Sequence, residues 1–234
     1  GDAITTGASN VAVGYQALSD DTTGNDNTAV GELALSNNTT AIRNTALGSS
    51  ALFTNTTGAD NTAIGTGSLY ANTTASFNTG VGQNSLENNT TGASNTAVGR
   101  DSLKANTTGA DNTAVGKGAL DATTTGSYNV GVGVNSMGTN TTGTQNAAFG
   151  RDSLQANTTG ASNVAIGNHA LHANTTGDAN TSVGYQALYA ATTASNNVAM
   201  GHSALTANTT GAQNTAVGYG SGIAITTGAQ NTGL

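Results

Sequence analysis

The sequence repeats itself every 17 residues, and this period limits the chain to a repeat architecture. A block that starts at Asn10 restarts at every seventeenth residue without insertion or deletion. Residues 1–9 form a partial repeat, residues 10–230 form thirteen full repeats, and residues 231–234 begin another. We therefore expect a single solenoid array over residues 1–234. Positions are numbered 1 to 17 from the Asn, and the side chains at one position are called a row.

The fixed positions of the repeat predict two short strands and two turns in each block. Position 2 is Thr, Val or Ala, position 3 is small, position 4 is apolar and position 5 is Gly, which predicts a strand followed by a turn. The Thr-Thr pair at positions 13 and 14 predicts a second strand, with a corner at position 15. The fold class is therefore all-β, a parallel β-solenoid (β-roll) with one repeat per coil. Thirteen coils at about 4.8 Å each predict a rod about 62 Å long.

The apolar and small rows indicate how such a coil is filled. Row 4, which is Val, Leu, Ile, Phe or Met, and row 9, which is Leu or Met until Gly222, are predicted to form an apolar seam. Row 3 holds only Ala, Gly or Ser and is the predicted face of close approach between sheets or chains. In the Thr-Thr pair, one hydroxyl is expected to point inward and the other into a single external Thr row.

Position 1 is Asn in every repeat, which predicts a stack of buried amides along the solenoid. An isolated buried amide is unfavourable, whereas stacked amides satisfy one another from coil to coil. The predicted ladder consists of Asn10, Asn27, Asn44, Asn61, Asn78, Asn95, Asn112, Asn129, Asn146, Asn163, Asn180, Asn197, Asn214 and Asn231.

Row 12 is Asn in nine repeats, and each of these begins an Asn-Thr-Thr glycosylation sequon. The residues are Asn38, Asn55, Asn72, Asn89, Asn106, Asn140, Asn157, Asn174 and Asn208. They are candidate glycan acceptors along one edge, and the alternative is a corner Asn selected by turn chemistry.

Composition narrows the classes of partner. Five basic against twelve acidic residues give a net charge of −7, which argues against nucleic acid and anionic membranes as partners. The absence of Cys leaves no thiolate metal site, and no apolar run is long enough to span a membrane. The start Gly1-Asp2-Ala3 lacks the features of a signal peptide, so we expect any such segment to be removed or to lie outside this sequence.

The segments Asn95-Thr-Ala-Val-Gly99 and Asn163-Val-Ala-Ile-Gly167 resemble the head repeats of trimeric autotransporter adhesins (YadA-like heads) and those of phage tail fibres. The resemblance extends over essentially the whole chain. It implies a left-handed parallel β-roll, three chains packed about an axis, and a surface that binds host or matrix components. The strict 17-residue period with its Thr-Thr pair departs from the family pattern.

The candidate chemical groups are few and lie at variable positions. His169, His172 and His202 suggest a metal site, but they occupy three different positions and have no fixed carboxylate partner. Asp101 and Asp152 both lie at variable position 7, which does not define a catalytic pair. Gly218–Gly222 matches neither a nucleophile elbow nor a phosphate loop and is interpreted as a modified terminal coil. We expect neither enzyme activity nor a cofactor.

Three functions remain open. The first is a structural segment of an extracellular fibre, adhesin or tail fibre, located at a cell surface or on a virion and self-associating as a homotrimer. The second is a subunit of an end-to-end filament, since the two chain ends lie in phase and a splice of Leu234 to Gly1 would skip only positions 5 to 8. The third is an ice-binding solenoid, against which stands the single outward Thr row.

Overall fold

A computed structural model describes residues 3–233, so the predicted splice of Leu234 to Gly1 lies outside the described residues. The chain divides into two compact units, Gly1–Lys117 and Gly118–Leu234. Each unit is a parallel β-solenoid built from 17-residue coils, and the all-β fold class is therefore confirmed. None of the described residues forms a helix long and apolar enough to cross a membrane.

Each coil contributes one strand of at most three residues, at positions 2 to 4. In unit 1 these are β1 Val11–Val13, β2 Thr28–Val30, β3 Thr45–Leu47, β4 Thr62–Ile64, β5 Thr79–Val81, β6 Thr96–Val98 and β7 Thr113–Val115. In unit 2 they are β8 Val130–Val132, β9 Ala147–Phe149, β10 Val164–Ile166, β11 Thr181–Val183, β12 Val198–Met200, β13 Thr215–Val217 and β14 Thr232–Gly233. Within each unit, consecutive strands pair in parallel with equivalent positions in register.

The predicted second strand at Thr-Thr is wrong, because this segment forms a bend. The backbone N–H groups of Thr22 and Thr23 both donate to one acceptor, the carbonyl of Thr39 in the next coil, at 3.0 and 3.2 Å. A parallel ladder would give the two N–H groups different acceptors. The coils are therefore hydrogen-bonded at this edge without forming a second sheet.

The predicted apolar seam is wrong for row 4, because this row points outward, whereas row 9 is buried. Ala97 in row 3 is fully buried, whereas its neighbour Val98 in row 4 is 37% exposed. Alternation along a strand places positions 1 and 3 on one side and positions 2 and 4 on the other. Because the Asn side chains of row 1 are inside, Ala at position 3 is inside as well and the larger aliphatic side chains point outward.

The interior is filled by the small row 3, the Ala or Ser of row 8 and the Leu or Met of row 9. A Cβ atom placed on Gly80 would lie 2.5 Å from Oγ of Ser68 and 3.0 Å from Oγ of Ser85. Row 3 thus packs closely against row 8 inside the solenoid. The close approach predicted for row 3 is within the coil.

Gly at position 5 is required by both its conformation and its neighbour. Gly99 has φ of 134°, and a Cβ atom there would lie 2.6 Å from the carbonyl oxygen of Gly116 in the next coil. An L side chain would be strained by the positive φ and would collide with that backbone. The sharp turn after each strand therefore depends on this Gly.

Candidate functional surface

Row 1 forms a continuous series of amides in each unit, and these are buried except at the two ends, Asn10 and Asn231. The backbone N–H of each Asn donates to Oδ1 of the Asn one coil earlier, at 2.9 to 3.1 Å. The side-chain Nδ2 reaches across its own coil, as in Asn44, which donates to the carbonyl of Gly58 at 2.9 Å. Row 1 therefore links each coil to its neighbour and also closes the coil on itself.

Row 12 forms a second buried amide row, which sequence reasoning assigned to glycosylation or to turn chemistry. All nine sequon asparagines are fully buried or nearly so. Asn72 is representative: its Nδ2 donates to Oδ1 of Asn55 in the preceding coil at 2.9 Å and to the carbonyl of Ala75 at 3.0 Å. The same signal that predicted row 1, an Asn that recurs at one position in successive repeats, could have revealed this second row.

The two amide rows converge on one acceptor, the carbonyl at position 15. The carbonyl of Gly58 accepts from Nδ2 of both Asn44 and Asn55, each at 2.9 Å. The carbonyl of Gly160 accepts in the same way from Asn146 and Asn157, at 2.8 and 2.9 Å. Position 15 is Gly or Ala in every full repeat, and a Cβ atom added to Gly58 would meet the carbonyl of Ala75 in the next coil and lie 2.5 Å from Oδ1 of Asn55.

The outward side chains of rows 2 and 4 form the surface called here the strand face. In row 4, five of the seven side chains of unit 1 and four of the six described in unit 2 are at least 36% exposed. Neither row contains a charged residue. Monomeric soluble proteins rarely expose long contiguous apolar patches, and such patches mark interaction sites. The strand face is the candidate functional surface.

Row 2 differs between the two units. In unit 1 it is Thr from β2 to β7, whereas in unit 2 it is mostly Val or Ala. In-register pairing places the Thr residues of adjacent strands side by side, as Thr62 and Thr79 show. The strand face of unit 1 thus combines a hydroxyl row with an aliphatic row, and that of unit 2 is more apolar.

The two Thr rows at the bend have different environments. The row 13 hydroxyls donate to the carbonyl of the equivalent Thr in the next coil, at 2.9 to 3.2 Å, as Thr22 does to Thr39. Row 14, which includes Thr23, is exposed. The bend therefore presents one external Thr row.

The three histidines do not meet at one place. His169 and His172 contact each other edge to face with ring centroids 5.2 Å apart, and His172 stacks on Tyr189 at 5.0 Å. His202 instead lies between Tyr185 and Tyr219. Burial, followed by the neighbouring His169, lowers the pKa of His172 below its usual value. Residues 3–233 contain no group of three His, Asp or Glu side chains arranged to hold a metal ion.

The charged side chains lie outside the strand face. Arg43 forms a bidentate pair with Asp60, through Nε to Oδ1 at 2.6 Å and Nη2 to Oδ2 at 2.8 Å. This partner lowers the pKa of Asp60. Asp101 pairs with Arg100 at 3.1 Å. These pairs are partly exposed, so they add little to stability.

Asp152 pairs with Arg151 at 3.5 Å, as Asp101 does with its own Arg neighbour.

Gly218–Gly222 lies at the last full coil, where Gly222 replaces the row 9 Leu and has a φ of 67°. No pocket is formed among the described residues.

The fold and these surfaces define the class of the protein as a β-solenoid repeat protein with 17-residue coils. No protein-family model matches the chain. No curated protein matches it either.

Proposed function

We propose that this chain is a structural repeat segment of an extracellular fibre, similar to a trimeric adhesin head or a phage tail fibre, located at a cell surface or on a virion. It acts as a rigid spacer or presenting surface, has no enzyme activity, and associates side by side with copies of itself as a homotrimer. Binding of a host or surface ligand would be a property of the assembled fibre.

The observation that carries this proposal is the uncharged, exposed aliphatic strand face, which is repeated on successive coils of each unit. Seven strands at about 4.8 Å, each three residues wide, give a face of roughly 300 Å² per unit. This area lies at the lower end of the range for the largest apolar patches on monomers, which are often functional, and in unit 1 it includes the hydroxyl row 2. Burying the face against equivalent faces removes its aliphatic side chains from water.

The rigidity proposed for the spacer rests on the two amide rows and the Thr row 13. Where consecutive coils both carry Asn in row 12, side chains at three separate rows hydrogen-bond one coil to the next in addition to the strand ladder. Bending between coils would break several of these bonds together. Solenoids of this kind derive their stability from nearest-neighbour interfaces of this sort.

The experiment is the solution mass, measured by light scattering coupled to size exclusion. We expect about three times 22.7 kDa for the native chain. The double variant Val98→Lys with Ile166→Lys places one charge on the strand face of each unit and is expected to run as a monomer. The matched control, Thr91→Lys with Thr159→Lys, places the same charges on exposed row 14 and should keep the native mass.

A native chain that stays monomeric at high concentration would contradict self-association. An open-ended mass distribution would instead favour the filament alternative. If the row 14 control dissociated as readily as the strand-face variant, the strand face would not be the contact.

The Thr row 2 of unit 1 favours ice binding as a second candidate. A regular hydroxyl row beside an aliphatic row supplies the two outward rows that the Thr-Thr pair alone does not provide. A monomeric chain with thermal hysteresis would support this function. A trimer without hysteresis would exclude it.

A further inference from the structure

The buried amide row 12 of unit 2 is interrupted between Asn174 and Asn208, where Ala191 takes the place of Asn. In the intact part of the row, Oδ1 of Asn157 accepts from Nδ2 of Asn174 in the next coil at 2.8 Å. Ala191 is fully buried and has no amide to donate, so Oδ1 of Asn174 is left buried without a hydrogen-bond partner. Ala191 has no side-chain oxygen to accept from Asn208 either. The two interfaces that the coil 180–196 makes with its neighbours therefore lack the row 12 link.

Aromatic rings stack across both of these interfaces, on the turn that follows each strand. His172 of the preceding coil stacks on Tyr189 with ring centroids 5.0 Å apart and planes 14° apart. His169 also contacts Tyr189, edge to face at 6.1 Å. On the other side, Tyr185 lies against His202 of the following coil at 5.0 Å. All three histidines of the chain thus lie in the two coils next to the one that lacks the amide.

The groups around His172 favour its neutral form. Burial has the largest effect in lowering the pKa of the half-buried His172, the neighbouring His169 adds to it, and Asp152 in the preceding coil opposes it. Arg151 brings a further positive charge, since its Nη2 lies 3.2 Å from Nε2 of His169. The coil 180–196 packed on the other side carries no Asp, Glu, Lys, Arg or His.

We propose that the coil 180–196 is a pH-sensitive junction in unit 2, closed when His172 is neutral and loosened when it is protonated. Interfaces with an intact row 12 are linked by amides, which do not titrate. At the junction that link is absent and imidazole rings are packed instead, and imidazole can change its charge between pH 5 and 8. The proposal concerns the single chain and does not depend on self-association.

Protonation acts against the closed junction. The protonated ring would place a charge in a half-buried position beside His169 and Arg151. Because the pKa of His172 is lower in the folded chain than in the unfolded one, the stability from the neutral ring is fully present above pH about 6.5. It is lost as the pH falls through the folded pKa. Protonation of His169 would also remove the acceptor of Arg151, although Oδ2 of Asp152, 4.0 Å from Nδ1, opposes this loss.

Amide hydrogen exchange of the native chain at pH 8 and pH 5 tests the junction, with each rate divided by that of the unfolded chain at the same pH. The backbone N–H groups of Leu171 and Leu188 bond across the two interfaces, and those of Met137 and Leu154 bond across intact ones. We expect protection of Leu171 and Leu188 to fall at pH 5 relative to that of Met137 and Leu154. An equal response of all four, or none, would overturn the proposal.

The variant His172→Phe keeps a ring at the interface and removes its titration. Row 10 already accommodates such a pair, because Phe53 stacks on Tyr70 with centroids 5.3 Å apart. Leu171 in this variant should keep the same relative protection at pH 5 as at pH 8. The matched control, His202→Phe, changes an exposed ring and should retain the native fall. A fall that persists in His172→Phe would show that this ring is not the cause.

The variant Ala191→Asn tests the role of the missing amide. It restores the donor to Oδ1 of Asn174 and should raise the protection of Leu171 about two- to tenfold at both pH values. Unchanged protection would mean that the break in row 12 does not weaken the junction, and the proposal would fail.

Discussion

The Leu residues of row 9 adopt a backbone conformation that L residues avoid. Every Leu from Leu18 to Leu205 in this row has φ near 50°, and so does Met137. The left-handed region costs about 1–2 kcal/mol per residue. Full burial of a Leu side chain contributes about 1.5–3 kcal/mol, which offsets that cost. Row 9 therefore keeps large apolar side chains despite its left-handed backbone conformation. In the last full coil, where row 9 is only half-buried, Gly222 takes this conformation without strain.

Asp21 occupies row 12 in the first full coil and ends the amide row of unit 1. Its Oδ1 accepts from Nδ2 of Asn38 at 2.8 Å and from the backbone N–H of Gly24 at 3.1 Å. A carboxylate accepts but does not donate, which suits the end of a row in which donors point in one direction. Burial raises the pKa of Asp21, although the hydrogen bonds from Asn38 and Gly24 oppose this shift.

The raised pKa of Asp21 predicts a pH-dependent effect of Asp21→Asn. The folded chain holds the proton more tightly than the unfolded chain, so the stability from Asp21 is fully present below pH about 3.9 and is lost as pH rises through the folded pKa. Asn regains a donor toward the carbonyl of Gly24. We expect the variant to be more stable than the native chain at pH 7, by about 1 kcal/mol.

Urea unfolding at pH 7 and at pH 3.5 measures this difference. The advantage of Asp21→Asn should shrink at the lower pH, where the native carboxyl is protonated. Asp20→Asn, on the exposed neighbour, removes the same charge and should change stability by less than about 0.5 kcal/mol. Equal effects of the two variants at both pH values would show that burial of Asp21 is not the cause.

At the scale of the strand, row 3 has no room for a larger side chain. Ala97 in β6 lies between Gly80 and Ala114 of the adjacent strands, and it is fully buried. Ala97→Leu adds volume against row 8, and the fixed strand spacing prevents the coil from widening. We expect a loss of about 1–3 kcal/mol in the free energy of unfolding.

Thermal or urea unfolding of Ala97→Leu checks this placement. The matched control is Val98→Leu, one residue further along on the strand face, which should stay within about 0.5 kcal/mol of the native chain. Unchanged stability of Ala97→Leu would mean that row 3 is not confined within the coil.

The sequence predicts the period, the strand at positions 2 to 4 and the turn at Gly. The orientation of the strand was also predictable from the sequence, because a buried Asn at position 1 requires Ala at position 3 to be buried and Val at position 4 to be exposed. Val is more hydrophobic than Ala, and this favoured the wrong interpretation, in which row 4 is buried. The bend at Thr-Thr was not predictable in this way, because it depends on two N–H groups that share one carbonyl of the next coil.

At the scale of the whole molecule, burial of row 12 predicts where glycans attach if the chain is made in a glycosylating host. The nine sequon asparagines of row 12 have Nδ2 bound to buried carbonyls or amides, so the folded chain does not present them to a transferase. Asn37 and Asn88 also begin Asn-x-Thr sequons; Asn37 is half-buried and Asn88 is exposed. We expect any glycan to lie on Asn37 and Asn88.

Glycopeptide mapping of the folded, secreted chain measures this distribution. Asn37 and Asn88 serve as internal controls, because each lies directly before a buried row 12 Asn and shares its local sequence. Glycans on Asn55 or Asn72 in a chain that retains native β-structure would contradict the burial of row 12.

The convergence of both amide rows on the carbonyl at position 15 also affects how such a gene can change. Loss or gain of one codon would move every later amide away from its acceptor, whereas removal or duplication of 17 codons restores every pairing. Recombination between any two equivalent points of the repeat therefore yields a chain that still closes its coils. A lineage carrying this gene can lengthen or shorten the protein in whole coils, without an intermediate that fails to fold.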